Sequence, residues 1–161
     1  MNSIEFAINM ELEGEKYYTE QAELNRDNNL STVFLILAKD ERDHADILRN
    51  KSKNLPFELN KSNVLTESKG IFKQLGEGKS IINDTALQLD VYKSALDTEK
   101  RSIDLYKDLL DQTEDEREKE VFEFLVEQEE EHYKILNELI ILLTRPEEWI
   151  ESAEFGIRKD Y

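Results

Sequence analysis

The chain is 161 residues long, contains no cysteine, and sets 37 Asp and Glu against 21 Lys and Arg, for a net charge of −16. That length buries a core without staples. The missing thiols exclude disulfides, thiolate-held zinc or iron–sulfur clusters and cysteine nucleophiles, and the acidic balance repels nucleic acid and anionic membranes while attracting cations. No apolar run approaches the roughly 20 residues of a membrane span. The opening MNSIEFAINMELEGE lacks a basic and then apolar leader pattern, so a cytoplasmic location is expected.

With five Gly, two Pro and apolar residues at alternating spacings of three and four, the chain reads as all-α and as one domain over 1–161. The first long helix is predicted near 3–26 and the second near 30–53, joined by the polar turn RDNN. A crossover over 54–83 follows, carrying Pro56, Gly70, Gly76 and Gly78 and a short helix near 66–75. The third and fourth long helices are predicted near 84–112 and 115–144, joined by DQTED. Short turns make each hairpin, 3–53 and 84–144, antiparallel, and the crossover is long enough to travel the length of a four-helix bundle. Beyond Pro146, the tail 145–161 places Trp149, Ile150, Ala153 and Phe155 at spacings that predict a short amphipathic helix packed on the bundle.

A shift of 88 residues superposes the two hairpins without a gap. Ala7 falls on Ala95, Glu11 on Glu99, Tyr18 on Tyr106, Phe34 on Phe122, Leu37 on Leu125, Glu41 on Glu129, His44 on His132 and Leu48 on Leu136. Each hairpin thus carries a Glu on its first helix and Glu-x-x-His on its second, and these hold the chain's only two histidines.

All these ionisable positions interrupt apolar stripes. The second helix reads Phe34, Leu37, Glu41, His44, Leu48 and the fourth Phe122, Leu125, Glu129, His132, Leu136; the first reads Ile4, Ala7, Glu11, Gly14, Tyr18 and the third Tyr92, Ala95, Glu99, Ser102, Tyr106. A carboxylate facing a low-dielectric core costs several kcal/mol, and four together repel one another. The stripes supply no Lys or Arg, whereas two divalent cations balance four carboxylates. Residues three apart on one helix reach one metal region, and oxygen ligands with one imidazole per ion favour iron or manganese over zinc. Glu13, Glu20, Glu130, Glu131 and most of TEDEREKE read as solvated surface.

One Glu from each of two helices and Glu-x-x-His from each of the other two is the pattern of carboxylate-bridged di-iron and di-manganese bundles. Through AINMELEGEKYY and ALDTEKRSIDLY on the first and third helices, and AKDERDH and VEQEEEH on the second and fourth, residues 3–144 resemble a rubrerythrin-type member of the ferritin-like superfamily. The resemblance implies two iron ions, with manganese as the alternative metal. Glu11 with His44 would be terminal ligands of one ion and Glu99 with His132 of the other, with Glu41 and Glu129 bridging. Asp40 and Gln128 would orient the imidazoles, and Tyr18 and Tyr106 would hydrogen-bond to carboxylates.

The likeness has two departures. Rubrerythrins proper carry a cysteine-rich rubredoxin domain, so with no cysteine here electrons are expected from another protein or a small reductant. The extra glutamate that rubrerythrins place one turn from the third-helix ligand is missing, since Leu96 and Ser102 flank Glu99 at that spacing. The expected function is an oxidoreductase that reduces hydrogen peroxide or dioxygen in oxidative-stress defence, working as a homodimer. The alternatives are iron oxidation coupled to storage, and a metal-free helical interaction module.

Overall fold

The computed structural model describes residues 2–76 and 85–154, and within them every side chain except those of 76, 85–88 and 145–154. Five helices follow in order: α1 (Ser3–Leu24), α2 (Leu30–Ser52), α3 (Val64–Gly76), α4 (Thr85–Gln112) and α5 (Glu116–Glu154). No strand occurs among the described residues. The part of the crossover over 77–84 lies outside them.

Local chemistry sets the helix ends. Asn2 caps α1 by accepting the Glu5 amide at 2.8 Å, and Asp115 caps α5 by accepting the amides of Arg117 and Glu118 at 2.8 and 3.2 Å, satisfying donors that an N-terminus leaves open. At the end of α2, Asn54 takes a left-handed φ of 57°. The amides of Asn54 and Leu55 then return to the carbonyls of Lys51 and Asn50, so the helix stops in a Schellman turn and the chain leaves along the bundle.

The hairpins α1–α2 and α4–α5 are each extensively packed, whereas between hairpins the main contacts run through α3 against α2 and α5. The core is split in two. One cluster gathers Tyr18, Leu30, Phe34, Leu37, Tyr92, Ile135 and Leu139, and the other Ala7, Leu48, Tyr106, Val121, Phe122 and Leu125. Each fully buried large apolar side chain contributes roughly 1.5–3 kcal/mol. The buried charged residues of the four stripes lie between these clusters, where several uncompensated carboxylates would cancel much of that gain.

One expectation is corrected. Over the described part of the tail, 145–154, the helix is not a separate one; α5 continues through Pro146 to Glu154 as a single 39-residue helix. The φ of proline is itself helical, and its cost is the hydrogen bond its missing N–H would make one turn back, which a helix already about thirty residues long absorbs. The expected packing of Trp149, Ile150, Ala153 and Phe155 on the bundle lies outside the described residues.

Candidate metal centre

Helical periodicity turns Glu11 of α1, Glu41 and His44 of α2, Glu99 of α4, and Glu129 and His132 of α5 inward to one level of the bundle, where all six are at most 3 % exposed. They form two overlapping groups, Glu11–Glu41–His44–Glu129 and Glu41–Glu99–Glu129–His132, whose donor atoms lie within 4.8 Å of one another. Glu41 and Glu129 belong to both. The two imidazoles lie nearly parallel, 18° apart with centroids 5.8 Å apart.

Around His132 the donor atoms converge without pairing. His132 Nδ1 is 3.1 Å from Glu41 Oε1, 3.1 Å from Glu99 Oε2 and 3.3 Å from Glu129 Oε1. Even so, His132 Nδ1, Glu41 Oε1, Glu99 Oε2 and both Glu129 oxygens are buried with no aligned hydrogen-bond partner. On the other side His44 Nδ1 is 3.3 Å from Glu11 Oε1 and 3.4 Å from Glu129 Oε1. Such orphaned groups are rare in a folded interior. First-row divalent ions hold N and O ligands at about 2.0–2.2 Å, which puts neighbouring ligand atoms at right angles about 3 Å apart. Lone pairs aimed at a shared centre instead of at each other therefore fit a bound cation, and the residues present fit a metal site.

Electrostatics agree. Burial, then the charges of Glu11, Glu129 and Glu99, hold the Glu41 carboxyl well above the usual range. Burial and Glu129 raise Glu11, and the same pair of causes lifts Glu99 to about 7. Burial alone would depress His44, but the Glu11 charge and hydrogen bonds to Glu11 and Glu129 raise it to about 10. His132 is likewise raised against burial by Asp40, Glu41 and Glu99. Glu129 alone is lowered, because its contacts with the two imidazoles outweigh its burial. Without metal, protons supply the compensating positive charge.

The surrounding residues do not repeat as the sequence does. Asp40 Oδ2 accepts from His132 Nε2 at 2.9 Å, reaching across from the opposite hairpin. Gln128, its counterpart in the repeat, accepts the Ser62 amide at 3.2 Å and leaves its Nε2 without a partner. Gln128 and His44 line the same cavity of about 350 Å³. Tyr106 donates a short hydrogen bond to Glu11 Oε2, whereas Tyr18 stands edge-on to the His132 ring at 6.3 Å.

Gly14 is the residue that sequence reasoning passed over. A Cβ there would meet Glu41 Oε2 at 2.4 Å, so the shared carboxylate occupies the space a side chain would need. The signal was a glycine inside an otherwise regular helical stripe, a costly choice unless something must approach closely.

Fold and site together define an all-helical bundle protein with a buried carboxylate–imidazole centre suited to metal. The family model for rubrerythrin matches residues 2–140, and the chain belongs to that family. No curated protein and no solved structure matches it. Among the described residues no helix is long and apolar enough to cross a membrane.

Proposed function

We propose that this chain is a di-iron carboxylate oxidoreductase that reduces hydrogen peroxide or dioxygen. The observation that carries the reading is the convergence of buried carboxylate and imidazole groups from four helices, among which Glu41 Oε1, Glu99 Oε2, both Glu129 oxygens and His132 Nδ1 face a common centre without a hydrogen-bond partner. Glu11 with His44 and Glu99 with His132 would each hold one ion, and Glu41 with Glu129, which belong to both groups, would bridge them. A donor set rich in oxygen, with one imidazole per ion and no thiolate, supports iron, with manganese as the nearest competitor. When bound, a ferrous pair supplies the two electrons that, with two protons, convert hydrogen peroxide to two waters.

The protein's part is positioning. Tyr106 fixes Glu11 by its outer oxygen, leaving Oε1 turned toward His44. Asp40 fixes the His132 ring by Nε2 and leaves Nδ1 facing Glu41 and Glu99. The two apolar clusters keep bulk water from the ends of the site. An external reductant would restore the electrons, since the chain holds no thiol couple.

The test is metal content after iron-supplemented, oxygen-free purification, compared with a Glu41→Ala, Glu129→Ala variant, followed by peroxide consumption with an artificial reductant. About two irons per chain, lost in the variant, with turnover of peroxide or dioxygen is the expected result. Metal-free protein of unchanged stability would overturn the metal reading, and iron accumulating far beyond two per chain would replace it with storage.

A further inference from the structure

A cavity of about 680 Å³ opens between α1 and α4, the first helices of the two hairpins. It is framed at two levels. Tyr17 donates to the Val91 carbonyl at 3.2 Å, and the Ser102 hydroxyl reaches Met10 Sδ at 3.4 Å. Between those struts stand Gly14 on one helix and Ala95 and Thr98 on the other, so no large side chain closes the window, and its floor is made by Glu41 and Glu99.

We infer that this window is the binding pocket of a small, non-anionic, hydroxylated aromatic molecule that meets the centre at Glu41. The inference rests on reading the cluster as a metal centre for its functional meaning, and on the cavity alone for the binding. Size leaves room for more than peroxide: a water-sized molecule occupies about 30 Å³, whereas 680 Å³ is in the range of pockets that hold organic ligands. The walls are apolar and aromatic, with Phe6, Met10, Tyr17, Ala95 and Leu105 among them. Phe6 is 54 % exposed, an apolar surface that a ring would cover. The net charge of −16, and a lining in which the carboxylates Glu13, Glu41 and Glu99 outnumber the one cation, Arg101, disfavour an anion. Glu41 Oε2 points at the space beside Gly14. An ionised Glu41 accepts there, and a guest O–H complements it.

The chain's only methionines are Met1 and Met10, so carbon-13 labelling of the methionine methyls gives a direct reporter of the window. 2-Naphthol titrated into metal-free and cobalt(II)-loaded protein should shift the Met10 methyl signal saturably in the metal-free form and show paramagnetic broadening of its own protons in the loaded form. Thr98→Trp, at an exposed position on the rim, should weaken binding at least tenfold while leaving metal stoichiometry unchanged. 2-Methoxynaphthalene, which has no O–H, should bind about tenfold more weakly than the naphthol. An unmoved Met10 signal, equal binding by Thr98→Trp, or equal affinity for the ether overturns the proposal. If naphthol binds but the chain takes up no metal, the metal-centre reading falls, and with it the functional meaning of the window.

Discussion

Replacing Gly14 by alanine separates the role of the helix from the role of the site. In a helix interior Gly→Ala gains about 1 kcal/mol, but here the added carbon would sit 2.4 Å from Glu41 Oε2, 3.2 Å from its carboxyl carbon and 3.3 Å from its Cγ. Ordinary contact begins at about 3.4 Å, so the oxygen must retreat by about 1 Å, several times the roughly 0.2 Å tolerance of a metal–ligand bond. Overpacking of this kind costs about 1–3 kcal/mol, which the gain in helix propensity partly offsets. The metal-free variant should therefore melt within a few degrees of the parent. Metal binding should suffer far more, because Glu41 belongs to both donor groups. A hundredfold loss of affinity removes about 2.7 kcal/mol of ligand-linked stability, or roughly 5–11 °C at the ~2–4 °C per kcal/mol of a domain this size. Competitive metal titration and thermal melts with and without iron measure both quantities. A variant that binds two ions at parental affinity and melts higher in both forms would show that Glu41 does not need the space at Gly14.

Asp40→Asn should weaken metal binding about 10–100-fold by loosening the His132 ring without unfolding the protein, as competition with a chromogenic chelator would show. Tyr106→Phe takes from Glu11 a buried donor worth about 1.5–3 kcal/mol; urea denaturation of the metal-free protein should register the loss. Stability of the metal-free protein should fall between pH 6 and 9. Glu99, lifted to about 7, loses its extra folded-state proton as the pH rises to about 7, and His44, lifted to about 10, loses its own from about 6.5 upward, with Glu11, Glu41 and His132 raised in the same direction. The folded state binding more protons makes the slope negative, about 1.4 kcal/mol per pH unit for each such proton. Iron should flatten the decline by taking the protons' place, and a level metal-free curve in urea denaturation across that range would count against the buried charges as described.

Helix positions were readable because one physical signal, apolar residues every three or four positions, governs all the long helices. The expected 30–53 became Leu30–Ser52, and 84–112 became Thr85–Gln112. The six charged residues were readable for the same reason: they break that signal twice, in the same register. The repeat misleads where the two halves meet different neighbours. Asp40 and Gln128 are equivalent in sequence, but Gln128 Oε1 accepts the Ser62 amide of the crossover, whereas Asp40 reaches His132. Gly14 and its counterpart Ser102 likewise differ in what they touch, since Ser102 turns its hydroxyl to Thr98 and Met10. Pro146 was taken as a helix end because proline usually acts locally, whereas the length of α5 before it is a property of the whole bundle.

The unequal backing of the two imidazoles gives a duplicated site a polarity. An imidazole that leans on a carboxylate is a stronger donor than one without such support, so the pocket around His132, supported by Asp40, favours the more highly charged ion over the pocket around His44. What began as two copies of one hairpin ends as two unlike halves, one imidazole backed by a carboxylate from the opposite hairpin.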